Sequence, residues 1–379
     1  MPLHTDFDLE PGEVYLNGAY CTPLPRAARA AAEEAYALNA QPYRMVADSF
    51  FDYPDAVRER VARVLGVSAD EVGVTSGTGF GALLLARSVR WRPGDRILIG
   101  PDEFPTNVYP WLSLEEDGLE VERLGDRGRP LTAEELSQAV ERGGVRALAV
   151  AAVHYLTGDL HPLAEFARIL HDRGAYLFVD GTQAAGAVAL DWPATGADAV
   201  VTSGYKWLFG PYGTGAIWVR RRLLGEMKNA NGNWWATENA RDFTRVLEIR
   251  GFPLHGRRLD NDETASFLNL GPFRAGLDYL LGIGVAAMEA KHRSLQDQIV
   301  ARVAGSGLVP VTRLDALQRS PMLYFEAAGG LDLGRLQAEL ASRRISVSRR
   351  AERLRVSPGC WNDESDLDAF AEAVAAARR

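Results

Sequence analysis

Cysteine is almost missing. Cys21 and Cys360 are the two in 379 residues, which excludes a disulfide framework and leads us to expect a reducing, cytoplasmic setting. No apolar run reaches the length of a membrane span, and MPLHTDFDLEPGEVYL at the N-terminus lacks a basic stretch followed by an apolar one. Neither a membrane anchor nor an export signal is expected. An excess of positive charge is lacking too. The formal net charge is -8 and the pI about 5.4, which argues against general affinity for nucleic acid or anionic membrane, because phosphate-rich partners need a basic footprint. Two local clusters, Arg220 to Arg222 and Arg349, Arg350 and Arg353, remain able to grip a small anion; the first reads better as a solvated helix end or loop. Repeats and low-complexity tracts are absent, and no metal-ligating set stands out.

What is present is an ordinary globular composition, 47% hydrophobic and 24% charged, in a chain long enough for two or three domains. Helical spacing is visible over Arg26 to about Leu38 and again over Phe51 to Leu65, where Val57, Val61 and Leu65 recur. From residue 71 short apolar runs alternate with helical stretches. The runs are 71–75, 96–100, 119–124, 147–153, 176–180, 199–202 and 215–219, and the helices between them include 80–89, 133–141 and 163–172. Uninterrupted apolar strands between helices predict a mainly parallel, seven-stranded sheet covered on both faces, an α/β fold. Residues 229–262 read as a long loop rich in Asn, Gly, Trp and Arg, too long for a passive connection. Helices are expected at 265–281, 286–304, 333–343 and 365–377, with short strands at 322–326, 345–347 and 354–356.

The chemistry concentrates in FVDGTQ (178–183) and TSGYKW (202–207). Asp180 ends one buried strand and Lys206 follows another, so both are expected at the carboxyl edge where open α/β sheets bind ligands. Taken singly, the aspartate reads equally as a strand-end cap and the lysine as a surface group. Together they suit pyridoxal 5'-phosphate, which needs an amine to form a Schiff base and move protons, and a carboxylate to keep its ring nitrogen protonated. A third element is VTSGTGFGALLLA (74–86), in which a glycine-rich turn leads from strand into helix. Gly77, Thr78 and Gly79 are assigned to a phosphate at the positive helix end. A degenerate dinucleotide fingerprint is the competing reading, but these glycines are spaced GxGxG.

The VDGTQ element, with SGYKW about two dozen residues on, resembles the class V aminotransferase family of fold-type I pyridoxal-phosphate enzymes, which includes cysteine desulfurases, kynureninase, isopenicillin N epimerase and C-S lyases. The likeness runs from YLNGAYCTPLPR (15–26) to LRVSPGCWNDESDLDAF (354–370). It implies that Lys206 is the Schiff-base lysine, Asp180 the pyridinium partner, Gln183 a donor to the ring hydroxyl, and Ser203 and Tyr205 phosphate ligands. It places Phe104 on the ring face, where desulfurases carry His, and Arg355 on the substrate α-carboxylate. Family members complete the site across a homodimer, for which Thr264, within RRLDNDETASFLNLGP (257–272), is the candidate; the usual RFExGTP pattern of desulfurases is not matched there. The implied architecture is an N-terminal arm (1–25) joining a small α+β domain (263–379), and a large cofactor domain (26–262).

Desulfurases also carry a nucleophilic cysteine shortly before the carboxylate-binding arginine, whereas ISVSRRAERL (345–354) has none. Persulfide chemistry on that loop is therefore not expected. β-Elimination from an S-substituted cysteine is the leading expectation; transamination, epimerisation and decarboxylation-linked oxidative deamination of an amino acid are the alternatives. A cofactor-binding sensor would bring a basic DNA-binding domain, and the chain before residue 71 is short and not basic.

Overall fold

The structure is a computed structural model that describes residues 3–248, 250–261 and 266–378. A short strand, β1 (Val14–Tyr15), lies in the N-terminal arm. The seven apolar runs become β2 (Val72–Thr75), β3 (Arg96–Ile99), β4 (Glu120–Arg123), β5 (Val145–Ala151), β6 (Tyr176–Asp180), β7 (Ala199–Ser203) and β8 (Gly215–Val219). They form one sheet of order β2-β8-β7-β6-β5-β3-β4, parallel from β7 to β4, with β8 antiparallel to both β2 and β7. The expected mainly parallel, seven-stranded α/β fold is what forms.

Successive side chains on a strand point to opposite faces, so a strand covered on both sides must be apolar throughout. In β5, Leu148 and Val150 enter one core with Val57, Val61 and Leu177, while Ala147 and Ala149 enter the other with Leu84, Ile97 and Ile217. Each fully buried Leu, Ile or Val contributes roughly 1.5–3 kcal/mol through the hydrophobic effect.

Helices α1 (Arg26–Ala40), α2 (Ser49–Leu65) and α3 (Thr78–Ser88) precede the short α4 (Tyr109–Leu112), and α5 (Ala133–Glu141), α6 (Leu163–His171) and α7 (Arg221–Glu226) follow. Helix α2 stops at Gly66, whose φ of 67° is the left-handed conformation that ends a helix at little cost for glycine. Thr132 and Glu135 form a reciprocal capping box that starts α5. Between 229 and 261 the long segment holds two short 3-10 turns, Trp234–Ala236 and Gly256–Leu259. Helix α8 (Phe267–Ile283) packs on α1 and α2, and α9 (Val285–Arg302) follows it.

The remaining strands are β9 (Leu308–Pro310), β10 (Leu323–Ala327), β11 (Ile345–Ser346), β12 (Ser348–Arg350) and β13 (Arg353–Val356), with helices α10 (Leu333–Ser342) and α11 (Glu364–Ala377). A second sheet has the order β12-β13-β10-β9 and is antiparallel. Strand β1 pairs with β11, and Val14 and Leu16 join the core of Leu336, Leu354 and Phe370, which fastens the arm to this C-terminal unit. Strands β9 and β12 were not visible as patterns; β12 is the edge strand Ser-Arg-Arg, whose pairing with β13 needs no apolar alternation.

Candidate active site

A cavity of about 450 Å³ opens at the carboxyl ends of β5, β6 and β7, where Ala151, Asp180 and Ser203 line it. Gly77, Thr78, Gly79, Phe104, Gln183, Tyr205, Lys206 and Arg355 face the same space. Thr264, the remaining candidate, lies outside the described residues.

On one wall β2 runs into α3 through Gly77, whose φ of +147° few other residues adopt, and a Cβ there would stand 3.3 Å from Ser203 Oγ. The Thr78 amide donates to Ser203 Oγ at 3.1 Å, and Thr78 Oγ1 lies 2.9 Å from the same oxygen. The first turn of a helix leaves amides without intrahelical partners, so this corner is a natural seat for an anion. Tyr205 closes it, stacked on Tyr212 with ring centroids 3.9 Å apart.

At the strand ends, the buried Asp180 accepts the Thr182 amide at 2.9 Å, and burial raises its pKa. It forms no ion pair among the described residues. Lys206 lies within electrostatic reach, but its Nζ donates to the carbonyls of Ala19 and Tyr20, each at 2.6 Å. Burial, reinforced by repulsion from Arg355, brings the Lys206 amine down to about 7. The Gln183 amide donates to the Ala19 carbonyl at 2.9 Å and accepts the Trp207 indole N–H at 2.9 Å, which leaves one N–H free for the cavity.

Two further residues bound the space. Phe104 is 49% exposed, with its ring centroid 5.7 Å from that of Tyr155. Arg355 is buried; its Nη2 reaches Asn17 Oδ1 and Ser348 Oγ, both at a long 3.4 Å, and its Nε is buried without a partner. A buried guanidinium so loosely held suits an incoming carboxylate.

These features fit pyridoxal phosphate: a buried carboxylate free of cations, an amine that loses its proton near neutrality, an anion seat at a helix start and an exposed aromatic face. Several contributors were not legible beforehand. The carbonyls of Ala19 and Tyr20 come from the arm, and Tyr212 sits in the turn after Lys206. Glu103 lies under Phe104, where its carboxylate accepts from Asn107 Nδ2 and the Ala151 amide, both at 2.8 Å, and burial raises its pKa to about 8. The adjoining DEFPTN motif was the available signal for it.

The chain is 28% identical over 305 residues to a probable cysteine desulfurase of Methanothermobacter thermautotrophicus, covering 79% of this chain and 74% of that one. It is 26% identical over 373 residues to a kynureninase of Burkholderia mallei, covering 93% and 86%. Among solved structures, an apo cysteine desulfurase from Thermococcus onnurineus superposes with a TM-score of 0.84 at 20% identity, over 99% of this chain and 96% of that one. The cystine C-S lyase C-DES, in complex with cysteine persulfide, gives 0.85 at 18% identity, over 96% and 98%. The family model for aminotransferase class-V matches residues 14–370, nearly the whole chain, and so this protein belongs to the class V aminotransferases and is a pyridoxal-phosphate enzyme.

Proposed function

We propose that the enzyme cleaves the C–S bond of an S-substituted cysteine by β-elimination. With one water consumed, the products are a thiol, pyruvate and ammonia, and no oxidant is required. Pyridoxal phosphate, when bound, supplies an electron sink that acidifies the Cα–H bond of an amino acid. Lys206 Nζ takes that proton and returns it, a role favoured by its pKa of about 7. Asp180 would hold the proton of the ring nitrogen, and Gln183, with one N–H left over, would donate to the ring hydroxyl. Gly77, Thr78, Gly79, Ser203 and Tyr205 would hold the phosphate, Phe104 would offer its face to the ring, and Arg355 would orient the substrate carboxylate.

The observation that carries elimination over desulfuration is the state of the thiols. No cysteine lies in 345–354; Cys360 is buried, and its pKa is pushed up to about 12. Cys21 is half-buried, and burial raises its pKa as well, so neither thiol favours the thiolate that persulfide chemistry needs. These free thiols also suit a cytoplasmic, reducing compartment. Incubation of the purified protein with S-methylcysteine and an assay for pyruvate tests the proposal. No pyruvate, with conversion of the cofactor to its amine form, would replace elimination by transamination.

The enzyme is further proposed to work as a homodimer. Tyr43, Val46, Leu247 and Phe252 are exposed apolar side chains on two adjoining segments, joined through the contacts of Phe51 with Trp234 and Phe243. Such a surface favours burial against a second copy.

A further inference from the structure

A second guanidinium faces the cavity beside Arg355. Arg350 ends β12, the strand paired with β13 from which Arg355 projects, and both residues line the space around Lys206. Together with Tyr155, Arg350 also borders an adjoining hollow of about 480 Å³ lined by Arg123, Arg127 and Arg349. The Arg350 Nη1 donates to the Arg349 carbonyl at 2.8 Å, while its Nε is buried without a partner.

The contrast along this hairpin is informative. Arg349 pairs with Glu352 at 2.6 Å and Arg353 with Glu326 at 2.8 Å. Arg350 and Arg355 have no ion-pair partner among the described residues, and they are the two of the four that line the cavity. Acids nearby do not neutralise them. Asp102 is committed to Arg127 at 3.0 Å and also faces His154, and burial keeps Glu103 largely protonated near neutral pH. One guanidinium already supplies the planar fork that a single carboxylate needs. Arg350 is partly buried, and its Nε is shut off from water with no acceptor, so a second anion at the same cavity would supply the partner that this donor lacks.

We propose that the substrate amino acid carries a second anionic group on its side chain, which Arg350 holds while Arg355 holds the α-carboxylate. This rests on the C-S lyase reading and narrows it to S-substituted cysteines bearing an acid, whose side chain points past Tyr155 toward the basic hollow.

S-carboxymethylcysteine and its neutral amide, S-carbamoylmethylcysteine, differ in that one charge and provide the test. Each is titrated into the cofactor-loaded enzyme and its Kd read from the change in cofactor absorbance, with pyruvate assayed in parallel. The acid is expected to bind about tenfold tighter or more, the scale of one charge-assisted hydrogen bond. Arg350→Gln is expected to bring the ratio of the two Kd values toward one, and Arg350→Lys to keep part of it. A ratio near one in the unaltered enzyme overturns the inference. So does an Arg350→Gln variant that weakens both ligands equally, because Arg350 would then grip the α-carboxylate. If both ligands shift the absorbance and neither yields pyruvate, elimination fails, and the Kd ratio still decides the second anion.

Discussion

Burial of Lys206 gives its amine two properties at once: it is held by two carbonyls of the arm, and it sheds its proton near neutrality. Lys206→Ala is expected to abolish the yellow cofactor absorbance and turnover together; normal turnover in that variant would remove the basis of the proposed chemistry. The depressed pKa also has a stability signature in the cofactor-free protein. Between about 7 folded and 10.5 unfolded, the unfolded chain binds the extra proton, so stability from this group rises with pH across that window. Below about pH 7 the charged, buried amine carries its whole penalty. Lys206→Met should therefore change the unfolding free energy more favourably at about pH 6 than at about pH 10, by roughly 1–3 kcal/mol. Urea titrations of the apoprotein at both pH values measure this, and an equal effect at the two would show that the amine is not desolvated.

Elements are fastened to the sheet by a few buried polar contacts. The segment before residue 262 is tied to β2 by Asp260, which accepts from Arg58 at 2.7 and 3.0 Å and from the Val74 amide at 2.8 Å. Both side chains are at most 3% exposed. Gly256 permits the approach, since a Cβ there would fall 2.1 Å from the Val72 carbonyl. Asp260→Ala leaves the buried Arg58 with only Asp55, 3.4 Å from its Nε, and the Val72 carbonyl, and it also strips the Val74 amide of its acceptor; a loss of about 2–4 kcal/mol is expected in chemical denaturation. Replacing both residues by leucine should recover much of that loss. A single substitution costing under about 1 kcal/mol would mean that Asp55 or entering water compensates Arg58.

For the whole molecule, a net charge of -8 surrounds a cavity in which Asp180 is accompanied by two guanidiniums without an ion-pair partner among the described residues, Arg350 and Arg355, and by Lys206, half-protonated near neutral pH. Attraction of an anionic substrate is thus local, and moderate salt should weaken binding of S-carboxymethylcysteine more than that of its amide. The proposed dimer predicts a sedimentation mass twice 41.4 kDa. Tyr43, 82% exposed, and Leu247, 94% exposed, are the side chains to alter. Glutamate at both should shift the protein toward the monomer by placing charge in an apolar contact; a monomeric mass for the unaltered protein would refute the pairing.

By itself the sequence determined the layered α/β fold and the convergence of Asp180 and Lys206. Strands covered on both faces must be apolar throughout, and polar residues just past their carboxyl ends meet at one edge whatever the loops do. The turn at Gly77 was legible for the same kind of reason, because the chain passes from strand to helix there with a φ of +147° that favours glycine. Long-range pairing was another matter. That Lys206 would rest on carbonyls 187 and 186 positions earlier, that β12 would form from Ser-Arg-Arg, and that Arg350 rather than Arg349 or Arg353 would lack an acid were decided only in three dimensions. Spacing along a chain reports which face a residue takes and whether it is buried, whereas the partner it meets depends on how separate elements pack, and local periodicity carries no record of that.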